Sequence, residues 1–217
     1  MYAKYLHGNY NMLIVPFTLI NKARVLTEGE KRMTDSVFGK NTIDYNKVLI
    51  LKRTQFSDAD TRAAAPFGQI IYPDSKFRED FSSPNASAYE KATFIHEMTH
   101  IWQHQLKYPI AKNGVVIQLK NELGGSVYTY TLSLTKKLKD YNMEQQGDII
   151  ADYYVLYHLV GTNSYLKQGL SSSAMPYTDP TKKSIYLTVL SDFLREPKNA
   201  TKNLPINLSF SSLRGCC

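Results

Sequence analysis

Cysteine is nearly absent from the sequence, since the only two are Cys216 and Cys217 among 217 residues. Two adjacent cysteines cannot form an internal disulfide framework, so a chain of this length has to rely on its hydrophobic core. They also cannot supply a zinc site made of thiolates, because no cysteine exists elsewhere in the sequence to complete it. A metal site in this protein would therefore use imidazole and carboxylate ligands.

Long apolar runs are also missing. The apolar run at residues 12–20 is nine residues long and contains Pro16, whereas a membrane-spanning helix needs about 20 apolar residues. The run lacks a small-residue cleavage site, and Lys4 is the only positive charge before it, which is unlike a signal peptide. We expect a buried strand or extended segment here, no membrane span, and no Sec route if the protein leaves the cytoplasm.

The sequence has no arginine-rich arm with interleaved aromatic residues, which a nucleic-acid groove would need. Its net charge is +7, from 26 Lys and Arg against 19 Asp and Glu, but the basic residues are scattered along the chain. We therefore expect a solvated basic surface and no nucleic-acid partner. An anionic cell wall is another environment that this charge would suit.

One chemical motif is present. Residues 96–100 read His-Glu-Met-Thr-His, which is the pattern H-E-x-x-H. On an α-helix, residues four apart lie on one face about one turn apart, so His96 and His100 can bind the same metal ion. Glu97 lies beside them and could take a proton from water that the metal activates.

Four helices are expected from N-cap residues and from the spacing of apolar residues. In the second helix, the apolar residues share one face and the two motif histidines lie on the other. The third is apolar nearly all round, which predicts a buried helix. The helices, with their N-caps, are 28–37 (Thr27), 88–106 (Ser87), 143–159 (Asn142) and a last one from Pro180 (Asp179) that ends before Pro197.

Strands are expected where short apolar or β-branched runs lie between turn residues. The sequence therefore predicts an α+β protein. Its expected parts are an N-terminal arm at 1–26, a core at 27–161, and a C-terminal helix and tail at 162–217 packed on the same domain. The predicted strands are 45–52, 67–72 and 126–132, with a helix as the alternative for 126–132, and 114–119 fits either a strand or a helix.

A catalytic zinc site needs a third protein ligand besides the two histidines. A third histidine six residues after His100 would fall at position 106, which is Leu106. His104 lies one further turn along the same helix, roughly 6 Å from His100 along the axis. One ion could not bind all three histidines comfortably, so we interpret His104 as a surface or supporting residue.

The buried third helix offers better ligands, because an acid in an apolar helix needs a partner. Glu144 and Asp148 lie one turn apart on one face of it, and Asp152 lies one turn further. Glu144 can ligate the metal, and Asp148 can accept the N–H of a ligating histidine, with His96 the expected one. Gly147 would let another backbone approach closely, as a helix–helix crossing at the metal would demand.

The pattern H-E-x-x-H followed by E-x-x-x-D resembles that of gluzincin-type zincin metallopeptidases. The amino-acid sequence is similar to that of small bacterial zincin-like proteins associated with type VI secretion, often labelled VgrG-related. The similar segments are 26–30, 36–39, 43–45, 94–103 and 143–146. This resemblance covers roughly residues 20–160. It implies a zincin-like fold, zinc on His96, His100 and Glu144, and Glu97 as the general base.

The expected function is therefore zinc-dependent hydrolysis of an amide bond in a protein or cell-wall peptide. The resemblance implies an antibacterial effector delivered into a target cell from the bacterial cytoplasm, with a secretion-spike protein and an immunity protein as partners. The alternative is a non-catalytic, zinc-stabilised docking domain of a secretion spike. We expect the strand at 67–72 to pair with an extended substrate, and a tyrosine to stabilise the oxyanion. Tyr141 is the first candidate, followed by Tyr128, Tyr130, Tyr153 and Tyr154.

Overall fold

A small mixed sheet lies at the N-terminal end of the fold in the computed structural model, which describes residues 20–54, 62–124, 127–159 and 180–207. The strands are β1 (Ile20–Arg24), β2 (Ile50–Arg53) and β3 (Ile70–Pro73), in the order β1-β2-β3. β1 is antiparallel to β2, and β2 is parallel to β3. With the helices that surround this sheet, the predicted α+β class is confirmed.

Helices make up most of the described residues. Capping boxes at Thr27, Ser87 and Asn142 start three of them, because each cap side chain accepts a backbone N–H of the first turn. The last predicted helix is divided in two at Leu190, and its predicted cap Asp179 lies outside the described residues. The helices are α1 (Glu28–Phe38), α2 (Ala88–Gln105), α3 (Ile110–Glu122), α4 (Met143–His158), α5 (Pro180–Val189), α6 (Ser191–Arg195) and α7 (Ala200–Asn203).

The structure shortens the first predicted strand and decides the segment left open between strand and helix. The run at 45–52 begins with a 3₁₀ turn, Tyr45–Lys47, because Asp44 accepts the Asn46 N–H, and the strand forms only from Ile50. The segment that we predicted as either strand or helix is helix α3.

The predicted strand at 126–132 is wrong, because residues 127–132 form no strand. Side chains around the start of α4 hold this segment instead. Its carbonyls accept from Asn142 Nδ2 at Val127, from Gln145 Nε2 at Thr129 and from the Tyr141 hydroxyl at Thr131. Since side chains satisfy these backbone groups, the segment needs no sheet partner.

Helix α2 is the centre of the core. Its predicted apolar face is buried, and Trp102 packs edge-on against Phe193 of α6 with ring centroids 5.2 Å apart. The opposite face, which carries the histidines, is also covered. Thr99, His100 and Gln103 are buried there, and α4 is the helix that packs most closely on α2. The metal ligands expected from α2 and α4 therefore face each other inside the protein.

The C-terminal helices also contact the core. Trp102 Nε1 donates to the Pro197 carbonyl at 2.8 Å. Asn203 at the end of α7 is completely buried, and its Nδ2 donates to the Glu196 carbonyl. Asn203 is therefore part of the core, while the predicted domain boundaries stay a prediction. Within the described ranges, no helix has the length and apolar content to cross a membrane.

Candidate metal centre

Three side chains from α2 and α4 converge on one point. His96 Nε2 lies 3.1 Å from His100 Nε2, and Glu144 places one carboxylate oxygen 3.4 Å from His96 Nε2 and the other 3.6 Å from His100 Nε2. The sequence predicted these three residues as ligands, and the structure brings them together. Among the described residues, they form the group of side chains that could hold a metal ion.

The spacing of these atoms suits a tetrahedral ion. Zinc bonds to nitrogen and oxygen are about 2.0–2.1 Å long, which places the ligand atoms of a tetrahedral site about 3.3–3.4 Å apart. The distance between the two Nε2 atoms, 3.1 Å, and that from His96 Nε2 to Glu144 Oε2, 3.4 Å, lie around that value, while the 3.6 Å from His100 Nε2 is to the other carboxylate oxygen. Two imidazoles and a carboxylate are also the ligand types of a catalytic zinc site, so the residues fit the ion that the sequence implied.

His96 is oriented from its other ring nitrogen by Asp148. Its Nδ1 lies 3.0 Å from Asp148 Oδ1, so the carboxylate accepts the Nδ1 proton and leaves Nε2 free to bind a cation. Asp148 therefore lies where the sequence analysis expected a supporting acid.

Gly147 allows this approach of α4 to the His96 ring. A Cβ atom at this position would lie 2.7 Å from His96 Cε1 and 2.8 Å from Nδ1, which is closer than carbon and ring atoms pack. A close approach at Gly147 was expected from another backbone, but the group that lies there is the His96 ring.

Substitution Gly147→Ala is expected to lower zinc affinity by about 10- to 100-fold, which is typical when the support of a ligand is lost. Alanine favours a helix by about 1 kcal/mol over glycine, but its methyl group would displace His96 from Glu144. Chelator competition measures the effect. Gly124→Ala is the control, because an added Cβ at that position meets no atom within 4 Å. Its φ of 85° makes alanine strained there, so this variant should lose stability while its zinc affinity stays unchanged. Unchanged zinc affinity in Gly147→Ala would contradict the close contact.

His100 is oriented by Gln103, a residue to which the sequence analysis gave no role. His100 Nδ1 lies 2.9 Å from Gln103 Oε1. Gln103 Nε2 donates to Gln146 Oε1 at 2.9 Å and to the Met143 carbonyl at 3.3 Å. A glutamine one turn after a ligand, on a helix face that becomes buried, was the signal that could have identified it.

The acids around the histidines favour a positive charge at this point. Burial opposes the charged form of His100, but the Glu144 carboxylate outweighs it and raises the pKa of the imidazole. Burial likewise opposes the Glu144 carboxylate, but His100 and His96 outweigh it and hold its pKa below the usual range. A cation between these groups satisfies all of them at once.

Glu97 lies beside the group and is itself buried. Its Oε2 atom has no hydrogen-bond partner among the described residues. Burial is the main reason that the pKa of Glu97 is raised above its usual value. A buried carboxylate with a raised pKa and an uncommitted oxygen is suited to accept a proton.

The five tyrosine candidates lie in different surroundings. The Tyr141 hydroxyl donates to the Thr131 carbonyl, and Tyr130 donates to Asp152. Tyr153 packs against Tyr157 and Tyr154 against His158. Burial raises the pKa of Tyr128, and the nearby Glu144 carboxylate raises it further. Glu144 has no such effect on the other four. Among these five, Tyr128 is therefore the one that Glu144 affects, and its hydroxyl donates to Gln118 Oε1 at 3.3 Å.

Arg62, which the sequence analysis did not consider, lies next to Tyr128. Its guanidinium carbon is 6.0 Å from the centre of the Tyr128 ring. His104 lies elsewhere, against Gly68, where an added Cβ would come within 2.6 Å of His104 Cδ2. The structure therefore keeps His104 out of the ligand group and places the positive charge of Arg62 beside Tyr128.

Strand β3, which was expected to pair with substrate, already has a backbone partner at Ile71. Ile71 of β3 donates its N–H to the Ala64 carbonyl at 2.9 Å and accepts the Ala64 N–H at 3.1 Å. This bridge satisfies the outward-facing backbone groups of Ile71. A substrate strand cannot use those groups, so the expected pairing is wrong at this point.

Known proteins were compared with the chain. No protein-family model matches it. Over 133 residues, 61% of its length, the chain is 38% identical to the type VI secretion system spike protein VgrG2b of Pseudomonas aeruginosa, and it spans 13% of that protein's length. Among solved structures it is similar to the effector domain of Pseudomonas aeruginosa VgrG2b, with a TM-score of 0.53 and 38% identity over 62% of this chain and 75% of that chain.

Proposed function

The chain belongs to the family of the VgrG2b effector domain, and from this premise we propose that it is a zinc-dependent metallopeptidase that hydrolyses an amide bond in a protein or cell-wall peptide. One observation carries the proposal. His96, His100 and Glu144 converge within bonding reach of one ion, beside a buried Glu97 whose Oε2 is uncommitted. The zincin-like fold is part of the same proposal.

In this proposal His96, His100 and Glu144 hold the zinc ion. When bound, zinc supplies a Lewis acid that polarises the scissile carbonyl and makes water more acidic. Asp148 fixes His96 through its Nδ1. The residues of α2 and α4 thus orient the ligand set before substrate arrives, which is the arrangement that catalysis favours.

Glu97 is the proposed general base. Its Oε2 takes a proton from the attacking water and then delivers it to the nitrogen of the leaving amine. Burial supports this role, because it raises the pKa of Glu97 and so makes the carboxylate a stronger base. A purely structural metal site would have no need of a carboxylate in this position.

Tyr128 is the proposed oxyanion-stabilising residue, in place of Tyr141. The Tyr141 hydroxyl donates to the Thr131 backbone carbonyl at 3.0 Å. The Tyr128 hydroxyl donates at 3.3 Å to a side chain, Gln118 Oε1, and both burial and the Glu144 carboxylate raise the Tyr128 pKa. Arg62 beside the Tyr128 ring adds a positive charge that would favour a developing negative charge on the substrate.

The family membership also supports a biological role. The related spike protein belongs to a type VI secretion system, and the related solved domain is an effector domain. We propose that the chain is a secretion-associated antibacterial effector that reaches a target cell by a non-Sec route. A secretion-spike protein and an immunity protein are its proposed partners.

The proposal is tested by measuring zinc and cleavage on the same sample. The purified protein is expected to hold roughly one zinc per chain, and to create new peptide termini in peptidoglycan or in a bacterial proteome, detected by mass spectrometry. Chelation should remove both the zinc and the cleavage, and added zinc should restore them. Full zinc content with no new termini in either substrate would favour the non-catalytic docking domain instead.

A further inference from the structure

Two glutamines connect His100 to a distant part of the chain. Gln103 and Gln146 are both completely buried. Gln146 Nε2 donates to the Leu138 carbonyl and to the Asn203 carbonyl, each at 2.9 Å. Leu138 lies in a 3₁₀ turn before α4, and Asn203 ends α7. A path of hydrogen bonds thus runs from two backbone carbonyls to the ligand group.

The direction of every bond in this path is determined. Backbone carbonyls only accept, so the two carbonyls require that the amide nitrogen of Gln146 faces them. Its oxygen must then face Gln103, which donates to it at 2.9 Å. The Met143 carbonyl requires the same orientation of Gln103, since it too accepts from Gln103 Nε2. The side-chain oxygen of Gln103 is therefore left for His100 Nδ1.

The last step concerns the imidazole. Because Gln103 Oε1 can only accept, His100 Nδ1 carries a proton, and the lone pair of His100 lies on Nε2. That atom is the one that faces His96 Nε2 at 3.1 Å. We infer that Gln103 and Gln146 are positioning residues that fix the tautomer of His100 for metal binding. The carbonyls of Leu138 and Asn203 determine which way the Gln146 amide faces, and Gln146 in turn orients Gln103. This inference rests on the zinc site of the proposed function.

The two histidines are thus supported in different ways. His96 has a carboxylate, Asp148, behind it, while His100 has a neutral amide. Three carboxylates already lie close to the site, in Glu97, Glu144 and Asp148. An amide supplies the needed acceptor without adding a fourth negative charge. The amide also carries an N–H donor, which bonds to Gln146 Oε1 and so determines which way the Gln103 amide faces.

The test replaces Gln103 by methionine, which keeps the volume and removes the acceptor. We expect Gln103→Met to weaken zinc affinity by about 10- to 100-fold in chelator competition. In ¹H–¹⁵N spectra of the zinc-loaded protein, the Nδ1 proton of His100 should lose its protection from solvent exchange. The His96 Nδ1 proton, held by Asp148, should stay protected in the same spectrum.

Further variants separate positioning from folding. Gln103→Glu keeps an acceptor for His100 and should recover the protected Nδ1 proton, but only part of the affinity, because its second oxygen has no proton for Gln146 Oε1 or the Met143 carbonyl. Gln146→Met should weaken affinity in the same direction but by less, because the Met143 carbonyl still orients Gln103. The matched control is Gln105→Met in the same helix, which loses two bonds to the Asp44 backbone and should change neither signal. Circular dichroism confirms that each variant is folded.

Unchanged zinc affinity and a protected His100 proton in folded Gln103→Met would overturn the inference. An equal loss in Gln105→Met would do so as well, because the effect would then be one of general stability. Neither measurement uses a substrate. A wild-type protein that binds zinc but cleaves nothing would therefore refute the peptidase while leaving the glutamine path to be decided by its own variants.

Discussion

Glu97→Gln is expected to lower the rate of hydrolysis by about 10⁴-fold, the upper end of the range for a lost general base, while zinc content and fold stay unchanged. Glutamine has nearly the same shape as glutamate but cannot take a proton from water. Glu97 is not among the three converging ligands, so its replacement should leave metal binding intact. The measurement is the appearance of new peptide termini, with zinc determined by elemental analysis on the same preparation.

Glu90→Gln is the matched control, because it makes the same change two turns earlier in α2. Glu90 pairs with Arg78 and caps the helix, so the control tests the effect of losing a carboxylate from this helix without touching the site. Its cleavage rate should equal that of the wild type. A Glu97→Gln protein that cleaves normally would show that another group is the base.

Local sequence patterns predicted the elements that carry the site. The capping box at Ser87 and the helical spacing after it predicted α2 almost to its ends, because both signals depend on neighbours within one or two turns. The same reasoning predicted α4 from its apolar surface and from acids that needed partners. The meeting of Glu144 with His96 and His100 followed from chemistry, since buried acids and imidazoles are stable only together.

Tertiary partners decided the features that sequence reasoning missed. The segment at 127–132 has strand-like residues, but Asn142 and Gln145 bind its carbonyls, and no local signal encodes that contact. The roles of Gln103 and Gln146 depend on Leu138 and Asn203, which lie 35 and 100 residues from Gln103 in the chain. Choosing Tyr128 over Tyr141 likewise depended on tertiary contacts, since the Tyr141 hydroxyl donates to the Thr131 carbonyl and Tyr128 is the one whose pKa is raised by burial and also by Glu144.

Glu144→Ala is expected to lower zinc affinity by roughly 100- to 1000-fold. Structural zinc sites bind with about 10–16 kcal/mol shared over four ligands, so one ligand accounts for roughly 3–4 kcal/mol. Removing Glu144 also leaves His96 and His100 facing each other at 3.1 Å without the carboxylate that favours a cation. Chelator competition gives the affinity, and elemental analysis after dialysis should show that the purified protein has lost most of its zinc.

The two other acids of α4 decide what this result means. Asp148 is bonded to His96 Nδ1, on the side of the ring away from the ligand group. Asp152 accepts from the hydroxyls of Tyr130 and Tyr186, so it is held by other partners. Asp152→Asn is therefore the control and should retain full zinc content. If Glu144→Ala kept its zinc while Asp152→Asn or Asp148→Asn lost it, the third ligand would be that acid instead of Glu144.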